Sequence, residues 1–239
     1  MGTDIHAGIE YKENGKWNAL MFPNKRKWED QPEYAAELDI DRNYDLFAIL
    51  ADVRNGYGFG GVETGSGFKY IAKDRGLPDD ISDEARDTAC TGDHTGHWVS
   101  LKEILDFDWL QLTNKRGLIK PETFIKWDGR KEYDPEPEEW CSGASGQGVK
   151  IISEDEMRVY VKNITDEGYC NIPERKKADR RLVDENDWPS PITRYCEVKW
   201  QRTYAKSAKT LWTDILPHML PLGAKHGYDN VRLVMNFDS

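Results

Sequence analysis

The sequence predicts an α+β fold: an antiparallel or mixed sheet with helices packed on it, joined by long irregular loops. Three observations predict it. A hairpin pattern opens the chain, capped segments of helical period recur through it, and an alternating apolar run closes it. Thr3 to Tyr11 alternate as a strand, Asn14-Gly15 is a two-residue turn, and Lys16 to Phe22 return as the second strand. From Asn43 to Val53, Tyr44, Phe47, Ala48, Leu50, Ala51 and Val53 fall at helical spacing, with Asp41 or Asn43 as N-cap. Residues 54–67 then carry six glycines in fourteen positions, which ends regular structure and marks a candidate functional loop.

A short helix is expected after Ser82. Another spans Leu101 to about Phe107, with Ser100 as N-cap and Glu103 completing a capping box. Pro121 to Trp127 reads as one or two helical turns, whereas 130–140 and 142–148 read as a long irregular excursion. Met157 to Lys162 and Thr193 to Tyr204 read as strands, the second alternating Cys196, Val198 and Trp200 against Glu197, Lys199 and Gln201. A helix from about Ser207 carries Leu211, Trp212, Ile215 and Leu216 and is disrupted by Pro217 or Pro221, before a closing strand from Asn230 to Phe237. With no internal repeat, the 239 residues are read as a single α+β domain, with a weak boundary near residue 150 and a possible insertion at about 155–190. The two terminal strands are expected side by side, because each carries an apolar face that needs cover.

The content of 9 Trp, 11 Tyr and 7 Phe is too aromatic for a disordered chain. A formal net charge of -10 argues against nonspecific duplex binding, which depends on Lys and Arg neutralising phosphates. The segment 174–187 packs five basic residues into its first eight, but acids follow at once, which favours a solvated face over a nucleic-acid patch. No apolar run has the length of a membrane span, and MGTDIHAGIE lacks the pattern of a secretory leader, so a soluble, non-secreted chain is expected. Cys90, Cys141, Cys170 and Cys196 are scattered without a C-x-x-C pair and read as reduced core thiols.

Chemistry concentrates in 4-DIH-6 and 93-DHTGH-97. Asp4 and His6 share one face of a strand, while Asp93, His94 and His97 are read on a loop before a helix. Asp4, His6, Asp93, His94 and His97 offer a mixed N/O set for Zn, Mn, Fe or Ni, able to activate a bound water, with Asp93 and His94 as the catalytic pair. Two readings compete: loop histidines bonded to the following helix beside an ordinary Asp4–His6 ion pair, and metal-free acid–base catalysis by the same residues. Asp238 is a further candidate, weighed against fraying at the terminus. In 54-RNGYGFGG-61 the glycines match G-x-G-x-x-G, but the loop follows a predicted helix, so the dinucleotide fingerprint is rejected. Instead Arg54, Asn55, Tyr57 and Phe59 are candidate ligand contacts, as are Arg75, whose plain alternative is pairing with Asp79 or Asp80, and Trp98, a candidate pocket wall.

The blocks MGTDIH, DRNYDLFAILADVRNGYGF, RGLPDDIS, GDHTGHWVSLKEIL, WDG and the terminal FDS resemble a family of small proteins of tailed bacteriophages and prophages that begin like MGTDIH. The blocks run from end to end and cover about a quarter of the residues. The resemblance identifies no catalytic residue. It implies a phage-encoded protein acting in the host bacterial cytoplasm, and by analogy one that counters host defence. The expected function is a metal-assisted hydrolase of a phosphate-containing nucleotide, such as an immune signal. The alternative is a non-catalytic protein that sequesters a nucleotide-like ligand or inhibits a host defence protein.

Overall fold

The computed structural model describes residues 3–24, 32–89, 96–130, 132, 135–164 and 192–238, and the fold is α+β. The chain packs as two compact units. The first comprises 1–61, 67–112 and 203–239, and the second comprises 62–66 and 113–202. Among the described residues no helix is long and apolar enough to cross a membrane.

In the first unit, β1 (Asp4–Glu13) and β2 (Lys16–Ala19) form the expected hairpin, with Glu13 opposite Lys16. Asn14 at φ 52° and Gly15 at φ 79° adopt the left-handed conformation that a tight two-residue turn demands. β3 (Phe22–Pro23) and β4 (Tyr34–Ala35) pair antiparallel as a separate short ribbon, while β9 (Val231–Asp238) lies antiparallel between β1 and β5 (His97–Ser100), giving the order β2-β1-β9-β5. The two terminal strands therefore pair as expected, from Asp4 opposite Asp238 to Tyr11 opposite Val231.

The pleat sorts their side chains onto two faces. Ile5, Ala7, Ile9, Val99, Leu233, Met235 and Phe237 are buried together with α1 (Tyr44–Ala51), α3 (Leu101–Asp106) and α7 (Leu216–His226). Each large side chain so buried contributes roughly 1.5–3 kcal/mol. Asn43 caps α1, its Oδ1 accepting from the Leu46 N–H at 3.1 Å. Ser100 and Glu103 form the expected capping box on α3. The other sheet face carries Val234 against Ile81, Ala85 and Ala89 of α2 (Asp83–Ala89) and the residues leading into it. It also carries Glu10, fully buried, whose carboxylate accepts from Arg232 Nε and from the Ser82 N–H, each at 2.7 Å.

Two local features place the site. β2 covers the edge of β1 only from Glu10 to Glu13, and farther along the Leu38 N–H donates to Ala7 O at 2.8 Å. A Cβ on Gly8 would lie 3.1 Å from Ala36 O, so glycine lets this segment approach and sets Glu37 beside β1. At the other end, α6 (Tyr204–Ser207) leads to a π-helical turn, Leu211–Ile215, in which the Leu216 N–H donates to Leu211 O. The expected disruption at Pro217 or Pro221 is corrected: the helix runs on through both to His226. Pro217 sits in the first turn, where its missing N–H leaves no bond unmade, and the widened turn precedes it.

In the second unit a three-stranded sheet has the order β6-β8-β7, with β6 (Leu112–Ile119), β7 (Val149–Ile152) and β8 (Thr193–Thr203), β7 running parallel to β8. Its core joins Ile119, Ile152, Met157, Cys196, Val198 and Trp200 to Phe124 and Trp127 of α4 (Pro121–Asp128). The strand expected at 157–162 is instead part of α5 (Glu154–Ile164). Ser153 and Glu156 form a capping box, with Ser153 Oγ accepting from the Glu156 N–H and Glu156 Oε2 from the Ser153 N–H. Met157, Tyr160 and Val161 meet the core at helical spacing while Val159 is exposed. The region read as an insertion falls largely on 165–191, outside the described residues, as does the basic segment 174–187.

Candidate functional site

The open stretch of β1 borders a cleft of about 540 Å³ in the first unit. The sheet contributes Asp4, His6 and Asp238, the extended segment before α1 contributes Glu37, Asp39 and Arg42, and Asp214 and His218 come from the π turn and α7. Five carboxylates thus face one guanidinium and two imidazoles.

His6 is the centre of this arrangement. Its Nδ1 lies 3.1 Å from Glu37 Oε1 and its Nε2 lies 3.3 Å from Asp238 Oδ2. A carboxylate opposite each nitrogen favours the doubly protonated ring, in which both N–H groups donate. Burial acts to lower its pKa, but the hydrogen bonds and charges of Glu37 and Asp238 together outweigh that and raise it above the ordinary imidazole value. The reciprocal bond from His6 holds the Asp238 carboxyl below the usual range against some desolvation, helped by the Asp4 N–H, which donates to Asp238 Oδ1 at 3.0 Å. Asp4 itself accepts from Arg42 Nε at 2.7 Å. Asp4 and His6 do share a face, yet each is paired with other residues rather than with the other.

This geometry bears on the expected metal set. A metal takes the lone pair of a neutral imidazole nitrogen, whereas both nitrogens of His6 face carboxylates. His97 is not in a loop but opens β5 opposite Met235, itself opposite Ala7, so the pleat turns it to the core face, away from His6. There it is 4% exposed, with its ring 5.8 Å from Phe237. Asp93 and His94 lie outside the described residues. Among the described residues no three His, Cys, Asp or Glu side chains are grouped to hold one ion.

The expected ligand contacts separate into two groups. Arg54, at φ 51°, donates through Nε to Thr3 Oγ1, and its guanidinium lies 5.3 Å from the Tyr44 ring, tying the glycine loop to the start of β1. Asn55 fastens the same loop, its Oδ1 accepting from the Phe68 N–H and its Nδ2 donating to Phe68 O and Asp52 Oδ1. Tyr57 and Phe59 are exposed. Arg75 and Trp98 are brought together on the other sheet face, where the guanidinium lies 4.6 Å from the indole and donates to Trp98 O. Arg75 pairs with neither Asp79 nor Asp80 but makes a bidentate bridge to Glu103, at 2.9 and 3.0 Å. Both arginines are thus engaged within the fold. Trp98 does line a cleft, together with Trp17, Asp80 and Arg232. Burial pushes the Cys196 thiol up to about 12, so that cysteine is inert at neutral pH.

Sequence reasoning missed Glu37, Asp39, Arg42, Asp214 and His218. A signal existed for the first two in 37-ELDID-41, where acids alternate with Leu38 and Ile40 as an extended segment presenting carboxylates on one side. Comparison of the chain with family models, curated proteins and solved structures returns no match.

Proposed function

We propose that this chain is a non-catalytic binding protein whose acidic cleft around His6 receives Lys or Arg side chains of a partner. In the setting implied by the resemblance to phage proteins, that partner is a host defence protein in the bacterial cytoplasm. One observation carries the reading: the cleft is lined by five carboxylates against Arg42, His6 and His218. Such a lining attracts cations and repels phosphate, raising both association rate and selectivity for a basic partner. The competing metal-assisted hydrolase would need Asp93 and His94, outside the described residues, together with Arg54 and Arg75, already bonded within the fold.

Titration of the full chain with an oligo-arginine peptide tests the proposal. Saturable binding is expected at low ionic strength, weakened about tenfold in the double variant Glu37→Gln/Asp214→Asn. In parallel, nucleotides are incubated with the chain and Zn, Mn, Fe or Ni. Turnover that disappears in His6→Ala would overturn the proposal in favour of the hydrolase, and so would absence of peptide binding by the folded wild-type chain.

A further inference from the structure

Along the edge of β1 that faces away from β9, the backbone groups of alternate residues are taken up one after another. Ile9 O accepts from the Leu20 N–H at 2.7 Å, Ala7 O accepts from the Leu38 N–H at 2.8 Å, and the Thr3 N–H donates to Tyr44 Oη at 3.2 Å. The same alternation puts the N–H and C=O of Ile5 on this edge. There β2 pairs only with Glu10 to Glu13, and the segment carrying Glu37 bridges β1 at Gly8. Among the described residues nothing on this edge pairs with Ile5. Ile5 is 8% exposed and lines the acidic cleft beside Leu38, Asp39 and Ile40. Backbone groups so placed are almost always paired, so an unmatched donor and acceptor side by side in the wall of a cleft point to a ligand that brings both. A lone cation would serve only the carbonyl, whereas one residue of an extended peptide serves the N–H as well.

We propose that the acidic cleft takes its partner as an extended peptide segment, one residue of which pairs antiparallel with Ile5 through two backbone hydrogen bonds. The inference rests on the reading of this cleft as a site for basic side chains, and it adds a backbone and a spacing to that reading. The antiparallel sense follows β2 and the Glu37 bridge, which both run so against β1. The peptide residue opposite Ile5 turns its side chain to the same sheet face as Ile5, and its two neighbours turn theirs to the other face. That other face carries Asp4 and His6, with Asp238 opposite Asp4 and Glu37 bonded to His6. Basic side chains at the two neighbouring positions therefore meet the carboxylates, and the segment reads basic-x-basic. Main-chain bonds supply affinity in this mode of binding and alternate side chains supply specificity.

Titration of the isotope-labelled full chain with an acetylated, amidated Gly-Arg-Ala-Arg-Gly peptide, followed by NMR, tests it. Saturable binding is expected, and exchange of the Ile5 amide hydrogen should slow about tenfold or more in the complex. Methylating the alanine nitrogen of the peptide removes the donor to Ile5 O and should weaken binding about tenfold or more. Methylating either arginine nitrogen, which points away from β1, should leave affinity within about twofold of the parent peptide. Three results would each overturn the proposal: equal affinity of the alanine-methylated and arginine-methylated peptides, Ile5 exchange unchanged at saturation, or no binding of this peptide by a chain that binds oligo-arginine. Each of these, with oligo-arginine bound, leaves the acidic cleft standing as a site for basic side chains. Failure of oligo-arginine to bind overturns that reading and this one with it.

Discussion

Replacing Arg232 by methionine should destabilise the first unit far more than replacing its partner Glu10 by glutamine. Arg232 is 3% exposed and its guanidinium lies 3.8 Å from the Trp17 ring. Nε donates to Glu10 Oε2 at 2.7 Å, and Nη1 donates to Asp80 Oδ1 at 2.8 Å. Removing the guanidinium takes the cationic partner from the fully buried Glu10, which keeps the neutral Ser82 N–H donating to its Oε1. Stranding one member of a buried pair in this way costs about 3–5 kcal/mol. In Glu10→Gln the guanidinium keeps Asp80 and the neutral amide still accepts a bond, so the loss should be about 1–3 kcal/mol. In the double variant Glu10→Leu/Arg232→Met no charge remains unpaired inside. Its stability should recover to within about 1–2 kcal/mol of the wild type. Equilibrium urea unfolding measures all three. A loss below about 1 kcal/mol in Arg232→Met, or additive losses in the double variant, would refute the view that charge burial dominates here.

The His6 clamp predicts a pH window. Because the folded pKa of His6 is raised, its stabilisation is fully present below the ordinary imidazole value of 6.5 and is lost as pH rises through the raised value. The contribution of Asp238, whose pKa is lowered, is present above the ordinary carboxylate value of 3.8 and lost as pH falls through the lowered one. The stability difference between wild type and His6→Gln should therefore shrink as pH rises from the ordinary imidazole value of 6.5 through the raised one, and a flat difference would count against the clamp. Asn43→Ala removes the α1 cap and a bond from Asn43 Nδ2 to Ser207 O, and should cost about 1–2 kcal/mol in thermal or urea unfolding. In the second unit Met157→Ala should cost about 2–5 kcal/mol through a cavity, while the exposed Val159→Ala stays within about 0.5 kcal/mol. Equal costs at the two positions would speak against helix α5.

The sequence by itself determined the elements whose signals are local. Asn14-Gly15 dictates a tight hairpin because its backbone angles suit few other pairs, and Asn43 and the Ser100–Glu103 pair mark helix starts by satisfying N–H groups within one turn. The alternation of Cys196, Val198 and Trp200 reads directly as a one-sided strand. The pairing of the chain ends was legible too, since two apolar faces with no nearer cover must meet.

What the sequence left open depends on contacts distant along the chain. Ser153-x-x-Glu156 is as local a cap as Ser100-x-x-Glu103, but a short apolar run beyond it fits both periods, and packing of Met157, Tyr160 and Val161 on α4 decides for the helix. His97 illustrates register: moving a residue by one place along a strand reverses its face, so whether it joined His6 depended on its alignment with Met235, not on its spacing from His94. Arg54 and Arg75 carry the right charge for phosphate, yet their availability depended on whether Thr3 and Glu103 arrive beside them. Likewise, Glu37 reaches His6 through one backbone hydrogen bond, Leu38 to Ala7, made possible by the missing side chain of Gly8. Residue types therefore fixed what chemistry the chain possesses, while tertiary pairing decided which groups are spent within the fold and which line a cleft, because a charge is neutralised by whatever lies within a few ångströms in space.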